Sequence, residues 1–275
     1  MSYKNIDIVI PTLGGMSLYK TIIAINSGSI KPKKIFCISY KNKLKNLKKF
    51  KNVKVITTNI CNQVKQRNLG IKMCKQKYIL QLDDDIFLKK NTLFLLYKAL
   101  GRELPNAAVG PVFLDLQGKP IHSTNDNFIK NLYKFLICGA DWGIHKSGKV
   151  TSLGIAYGIS TDMAGESQKT EWLPGGCVLF HNNKRIKEFK KFNFSGKSYC
   201  EDIFFSLERS RLKINQFVIS KAKVKTEFNK PKLGLIEFIK EIRIRFSLLK
   251  FTKGSFIRFF IWTISEFFIR LIHYR

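Results

Sequence analysis

The chain has 275 residues and 45% of them are hydrophobic, so it can bury a core in one large domain or in one domain plus a smaller segment. Its formal net charge is +30, because 49 Lys and Arg residues stand against 19 Asp and Glu residues. This balance favours an anionic partner: a nucleic acid, an acidic membrane surface or a phosphorylated substrate. A coding bias towards Lys, Asn, Ile and Phe is a competing explanation for part of the excess.

Strands alternate with helices along the first hundred residues. The β-branched run from Ile6 to Ile10 ends at Pro11, which predicts a buried strand followed by a turn. Further strands are predicted at 34–39, 53–57 and 78–82. Helices are predicted at 16–29, 62–75 and 91–101. This alternation predicts a mostly parallel sheet with helices on both faces, and ligands in such sheets bind beyond the carboxyl ends of the strands.

The second half of the chain has fewer clear elements. Strands are predicted at 107–113 and 177–180, and a helix at 200–212. Residues 115–175 are rich in Gly, Ser and Asn, and they predict loops and short strands around a pocket.

The character of the chain changes at about Lys230. One helical stripe is predicted, with three- and four-residue spacing, from Leu235, Ile239, Ile242, Phe246 and Leu249. The segment from Phe256 to Ile272 is more apolar and aromatic, but it is short for a membrane span and contains charged residues. A helix lying in the membrane interface is expected, with a helical pair that packs on the rest of the chain or on a second subunit as the alternative. The expected division is therefore a domain at 1–229 and a basic, aromatic helical segment at 230–275.

Three aspartates, Asp83, Asp84 and Asp85, follow the predicted strand 78–82. They are the first acidic residues after Asp7, and ten lysines lie between residues 31 and 54 of the intervening stretch. Adjacent carboxylates repel one another unless a cation neutralises them, and Mg²⁺ or Mn²⁺ takes one or two carboxylates together with substrate phosphates. A solvated acidic turn or a helix cap is the alternative.

Four further features are candidates for a site. Glu201 and Asp202 open the predicted helix 200–212, where acidic residues also complement the helix dipole. Gly175 and Gly176 allow close approach of a ligand, or they form a tight turn. Trp172 is a sugar-stacking ring or a core residue, and Arg67 is a phosphate or base ligand or a surface residue.

The order of these motifs resembles family 2 glycosyltransferases of the bacterial surface-polysaccharide type. The matching runs are Ile-Val-Ile-Pro-Thr, Gln-Arg-Asn-Leu-Gly, Leu-Asp-Asp-Asp, Gly-Gly-Cys-Val-Leu-Phe and Glu-Asp, across roughly residues 5–212. The resemblance implies a GT-A type, Rossmann-like domain with a mixed, mostly parallel sheet, here followed by C-terminal amphipathic helices. It also implies an inverting, hexosyltransferase-like enzyme that uses Mg²⁺ or Mn²⁺.

The resemblance also implies roles for single residues. Asp202 matches the catalytic base. Asp83 and Asp85 match the metal ligands. The donor-binding residues implied are Pro11, Thr12, Arg67, Asp83 and Asp84. The acceptor-binding residues expected are Trp172, Gly175, Gly176 and Glu201. The segment after Ser39 lacks the acidic residue with which the family usually contacts the nucleobase of the donor, so the sequence does not identify the nucleotide.

The expected partners are a nucleotide-sugar donor, a saccharide or lipid-linked acceptor and an anionic membrane surface. No nucleic-acid partner is expected, because the lysine-rich stretch holds only Phe36, Tyr40 and Phe50 as aromatic residues. The expected location is cytoplasmic, on the inner face of the cell membrane: no secretion signal is predicted, and no cysteine pair forms a CxxC motif. A sugar nucleotidyltransferase, or a basic nucleic-acid- or membrane-binding protein without catalysis, is the alternative.

Overall fold

The computed structural model describes residues 3–41, 44–103, 106–122, 128–139, 147–159, 165–183, 200–227 and 234–273. The strands are β1 (Tyr3–Thr12), β2 (Lys31–Tyr40), β3 (Val53–Thr58), β4 (Tyr78–Leu82), β5 (Ile86–Leu88), β6 (Ala107–Leu114), β7 (Ser167–Thr170), β8 (Cys177–His181) and β9 (Asn215–Thr226). The helices are α1 (Met16–Asn26), α2 (Gln63–Met73), α3 (Thr92–Glu103), α4 (Phe128–Leu136), α5 (Glu201–Arg211), α6 (Leu235–Thr252) and α7 (Phe256–His273).

The strands form one mixed sheet in the order β3-β2-β1-β4-β8-β6-β9-β5, with β7 beside the first half of β9. The first four strands run parallel, and β8 runs antiparallel to both β4 and β6. Since β9 is parallel to β6 and antiparallel to β5 and β7, six of the nine described strands point the same way. The predicted fold class, a mixed and mostly parallel sheet with helices, is confirmed.

The core has two layers, one on each face of the sheet. Neighbouring residues of one strand enter opposite layers, as Ile8 and Val9 do on β1 and Leu80 and Ile79 do on β4. One layer is covered by α1 and α3, and the other by α2 and α5. Both faces of the central strands are therefore buried, which explains why those strands are continuous apolar runs.

A glycine brings α2 unusually close to the sheet. A Cβ atom at Gly70 would lie 2.3 Å from Val9 Cγ1 and 3.1 Å from Ile38 Cγ1. The Asn62 side chain caps the start of the same helix, accepting a hydrogen bond from the Lys65 amide at 2.8 Å. The first two turns of α2 are thereby held over the carboxyl ends of β1 and β4.

Three elements differ from the sequence prediction. The expectation of loops and short strands at 115–175 is wrong at 128–136, where α4 forms, and it holds at the short strand β7. Strands β5 and β9 were not predicted. In β9 the lysines at 221, 223 and 225 alternate with the buried residues Ala222, Val224 and Thr226, so the twofold period of a strand is present there.

The C-terminal helices pack on the rest of the chain. Ile244 and Leu248 of α6 form a buried cluster with Ile203 and Phe204 of α5. The apolar stripe predicted for α6 does not form the buried face of this helix. Its residues Leu235, Ile239 and Phe246 are exposed, whereas Leu249 is buried. The predicted domain boundary at residue 229 lies outside the described residues. No helix within the described ranges combines the length and hydropathy needed to cross a bilayer.

The two C-terminal helices are joined to each other by half-buried charges. Glu241 accepts hydrogen bonds from Arg245 at 2.7 Å and from Arg270 of α7 at 2.6 Å. Trp262 of α7 lies in one cluster with Phe238 of α6 and with Cys138, which follows α4. The helical pair is therefore a defined unit rather than a loose tail. All six cysteines lie in described ranges and none is in a disulfide.

Candidate active site

The three aspartates line a cleft of about 390 Å³ at the carboxyl ends of β1 and β4. Ile6 to Val9 of β1 pair in register with Tyr78 to Gln81 of β4, so the residues that follow the two strands are neighbours. The lining includes Pro11, Thr12, Leu13, Gly15, Ser17, Cys61, Asn62, Gln63, Gln66, Asp83, Asp84, Asp85 and Glu227. The polar edge expected from the strand order is present.

Asp84 is tied to β1 and α1. Its carboxylate accepts a hydrogen bond from the Thr12 hydroxyl, and its carbonyl oxygen accepts one from the Thr21 hydroxyl at 2.9 Å. Burial raises the pKa of Asp84, Thr12 opposes that change, and the neighbouring charge of Asp83 adds to it. A cation in the cleft would relieve this unfavourable negative charge.

Arg67 joins the aspartate cluster to the start of α5. Its side chain is 0% exposed, and its two terminal nitrogens form ion pairs with Asp83 Oδ1 and Glu201 Oε1. Burial by itself lowers the pKa of Arg67, but the two carboxylates raise it above its ordinary value. Gln63 Nε2 also donates to Asp83 Oδ1, at 3.1 Å. The motifs at 67, 83 and 201 therefore meet at one buried guanidinium.

Glu201 and Asp202 differ in their surroundings. Burial raises the pKa of Glu201 to about 7, with Arg67 opposing the change. Burial raises the pKa of the half-buried Asp202 to about 6, opposed by the Ile203 amide, which donates to Asp202 Oδ1 at 2.9 Å. A carboxylate with a pKa near 6 is ionised at neutral pH and is a stronger base than an ordinary one.

The two glycines before β8 bring the backbone against these acidic groups. The Asp83 amide donates to the Gly176 carbonyl at 2.8 Å, and Gln81 Nε2 donates to the Gly175 carbonyl at 2.5 Å. A Cβ atom at Gly175 would lie 3.2 Å from Asp202 Cβ, and one at Gly176 would lie 3.3 Å from Asp83 Oδ2. Side chains here would pack tightly against Asp202 and Asp83, which favours glycine at both positions.

Trp172 lies in the core rather than in the cleft. It is 5% exposed, its Nε1 donates to the Tyr157 carbonyl at 2.8 Å, and its ring meets His122 edge-on at 5.5 Å. This placement favours the alternative considered for it, a core tryptophan beside a tight turn.

The oxygen donors in the cleft suit a hard divalent cation. Asp83, Asp84 and Asp85 are side by side, but Asp83 Oδ1 is already held by Arg67 and Gln63. Among the described residues, no three His, Cys, Asp or Glu side chains converge as a ready-made ligand set. A cation here would therefore depend on one or two carboxylates plus substrate oxygens, which is the usual arrangement for Mg²⁺ with phosphates.

Several residues of the cleft were not predicted from the sequence. Gln63 and Gln66 precede Arg67 by one helical turn and by one residue, and Gln66 Nε2 donates to the Thr12 carbonyl at 3.4 Å. Their position in the same turns of α2 as Arg67 was the available signal. Glu227 follows β9, and it was missed because that strand was not predicted.

Comparison with known proteins gives a fold, and a family match over part of the chain. Residues 18–151, which are 134 of the 275 residues, match the family model described as glycosyl transferase family 2. No curated protein matches the chain in sequence.

Three solved structures are similar. GalNAc-T7 with UDP, GalNAc and Mn²⁺ has a TM-score of 0.58 and 11% identity, over 84% of this chain and 45% of that one. S. aureus TarS 1–349 has a TM-score of 0.54 and 12% identity, over 87% of this chain and 64% of that one. The same TarS fragment in complex with UDP-GlcNAc has a TM-score of 0.53 and 14% identity, over 87% and 65%.

The chain spans less than two thirds of each of these three proteins, and identities this low show the fold alone. The fold and the family match together support a glycosyltransferase. The chain therefore has the GT-A fold, and residues 18–151 carry its match to glycosyl transferase family 2.

Proposed function

We propose that the protein is an inverting glycosyltransferase that moves a hexose from a nucleotide sugar to a saccharide or lipid-linked acceptor. One observation carries the proposal: Arg67 contacts both Asp83, beside the donor cleft, and Glu201, which precedes Asp202. A carboxylate cluster suited to a diphosphate and a basic carboxylate suited to an acceptor hydroxyl are thereby fixed in one site.

Asp202 is the general base of the proposed reaction. It takes the proton from the acceptor hydroxyl as that oxygen bonds to the anomeric carbon, and the bond from that carbon to the diphosphate oxygen breaks. A single displacement of this kind inverts the anomeric centre. The raised pKa of Asp202, about 6, leaves it ionised at neutral pH and ready to accept the proton.

Asp83 and Asp85 are the proposed ligands of Mg²⁺ or Mn²⁺. A bound cation supplies positive charge where the leaving diphosphate becomes more negative. Pro11, Thr12 and Asp84, which line the cleft, are proposed to contact the donor. The structures of GalNAc-T7 and TarS contain UDP or UDP-GlcNAc, so a UDP-hexose is the first donor to test.

Arg67 is proposed to act as a positioning residue rather than as a nucleotide ligand. Its guanidinium is fully buried between two carboxylates, and Arg67 is not among the residues that line the donor cleft. Gly175, Gly176 and Glu201 are proposed to border the acceptor, since they adjoin Asp202.

The acceptor is proposed to be a bacterial surface polysaccharide or lipopolysaccharide precursor. The protein would then work in the cytoplasm, attached peripherally to the inner face of the cell membrane. Residues 1–229 would form the catalytic domain and 230–275 the attached helices.

A donor panel tests the reaction. The protein is incubated with UDP, GDP and dTDP sugars, with and without Mn²⁺, and release of the nucleoside diphosphate is measured. We expect release from one donor, loss of release in Asp202→Asn and Asp83→Asn, and no change in Glu166→Gln, a surface carboxylate paired with Lys221. Absence of release from every donor, or full release in Asp202→Asn, would contradict the proposal. Pyrophosphate from a nucleoside triphosphate and a sugar phosphate would indicate a nucleotidyltransferase instead.

A further inference from the structure

We infer that α4, α6 and α7 form one membrane-contacting surface whose occupant is an anionic bilayer. The inference specifies the peripheral attachment that is part of the proposed function, and it stands apart from the transfer chemistry. On α7 a continuous apolar stripe faces away from the core. The exposed members at three- and four-residue spacing are Ile257, Ile261, Ile264, Phe268 and Leu271.

Helix α4 extends the stripe of α7. Its Tyr133 hydroxyl lies 2.9 Å from Ser265 Oγ of α7, so the two helices are side by side. Ile129 and Leu136 lie four residues before and three residues after Tyr133, on the same face of α4, and both are exposed. Ile129 is 74% exposed, the same value as Ile257 on α7. The apolar surface therefore includes a helix from the middle of the chain.

Helix α6 adds an aromatic and basic border. The exposed Phe246 ring lies 5.9 Å from the Phe256 ring at the start of α7, and the Lys250 ammonium lies 5.7 Å from the Phe246 ring. Aromatic rings beside lysines are the combination that an interfacial helix places at the level of lipid headgroups.

Charges on the helical pair are sorted by sign. Glu241 and Glu266 are turned inward, where Arg245 and Arg270 pair with them. The exposed charged side chains of the described part of α6, α7 and their connection are Lys240, Arg243, Lys250, Lys253 and Arg258. Glu237, in the first turn of α6, is half-buried. The solvent-facing rim of the surface is thus positive and complements an anionic headgroup layer.

The charge also favours a bilayer over a second copy of the chain. The spacing of the α7 stripe would suit a coiled-coil seam as well as a membrane. Pairing two copies, however, would bring two basic rims of a chain with net charge +30 together, and like charges repel. An anionic bilayer covers the same stripe and attracts the same rim.

The inner side of this unit supports α5, the helix that begins with Glu201 and Asp202. Ile244 and Leu248 of α6 cover Ile203 and Phe204 there. Truncating the C-terminal helices would expose that core and confound a binding measurement. Single substitutions of exposed residues in the full chain are therefore the sharper test.

The full-length protein is floated with vesicles of equal parts phosphatidylglycerol and phosphatidylcholine, and with vesicles of phosphatidylcholine alone. We expect binding to the anionic vesicles that weakens as salt is raised. Ile261→Glu and Ile129→Glu should each weaken it roughly tenfold or more. Ile23→Glu is the matched control: Ile23 and Ile261 are both helical and both 45% exposed, but Ile23 lies on α1. Lys250→Gln should cost roughly fivefold.

Three outcomes would overturn the inference: no binding of the parent, equal loss in Ile23→Glu, or a stable dimer that Ile257→Glu disperses. Full binding of Ile129→Glu would remove α4 from the surface. Nucleoside diphosphate release, measured without vesicles, keeps the two proposals separate. Loss of release with intact vesicle binding contradicts the transferase alone, and the reverse result contradicts the surface alone.

Discussion

Replacing Arg67 by Met tests whether this arginine holds the site together. Met is long and uncharged, so the substitution removes both ion pairs while largely filling the space. Asp83 and Glu201, whose side chains are 24% and 8% exposed in the parent protein, then lose the guanidinium that lies between them. Removing one partner of a buried ion pair destabilises proteins by about 3–5 kcal/mol, because a buried charge loses its compensation.

The double variant Arg67→Met/Glu201→Gln separates this cause from lost packing. Neutralising the more buried carboxylate should restore about 1–3 kcal/mol of the stability that the single variant loses. Denaturant unfolding at about pH 8, above the pKa of about 7 of Glu201, measures both values. Arg67→Lys should also be destabilised, since a point charge cannot bridge two carboxylates as a guanidinium fork does.

Two results would refute this reasoning. If the double variant were no more stable than Arg67→Met, charge compensation would not be the role of the residue. If Arg67→Lys kept full stability and raised only the KM for the donor, Arg67 would be a nucleotide ligand, as the family resemblance implies.

Two further predictions concern protons and packing. Burial raises the pKa of Glu201 to about 7 and that of Asp202 to about 6. We therefore expect kcat/KM to decrease towards low pH, with an apparent pKa between these two values. Between about pH 4 and pH 7, these two carboxyl groups keep protons in the folded protein that they have released in the unfolded chain. Their contribution to the free energy of unfolding is therefore fully present below about pH 4 and is lost as the pH rises to about 7. Glu201→Gln should flatten that loss in a series of unfolding curves, and an unchanged slope would contradict it. Gly70→Ala should destabilise by about 1–3 kcal/mol, because its Cβ would meet Val9 at 2.3 Å. Gly101→Ala, also helical but with no atom within 4 Å, should instead stabilise by up to about 1 kcal/mol, and equal effects would show that packing at Gly70 is unimportant.

The sequence predicted those strands and helices whose apolar pattern is visible in a short run of neighbouring residues. The strand 78–82 was predicted with the bounds that the structure gives, because five buried residues precede the acidic cluster. Helix α4 was missed because its nine residues lie between segments rich in Gly and Ser. Strand β9 was missed although its lysines alternate with buried residues.

The parts of the site that could not be predicted depend on contacts between distant segments. Nothing near Arg67 in the chain indicates that its partners are Asp83 and Glu201, so its burial was invisible to a reading of its own helix. Trp172 was open to two interpretations for the same reason, since the Tyr157 carbonyl that bonds its Nε1 is set by the tertiary fold.

The position of β8 in the sheet has a consequence for how the chain folds during synthesis. All five residues of β4 are buried, yet the strand that completes its second edge, β8, begins at Cys177. A nascent chain that has made only the first four strands therefore presents an apolar strand with unpaired backbone groups along one edge. Such edges are prone to pair with other chains, and pairing across so long an interval is slow. We expect N-terminal fragments that end before residue 177 to aggregate, and the intact chain to need protection until β8 inserts.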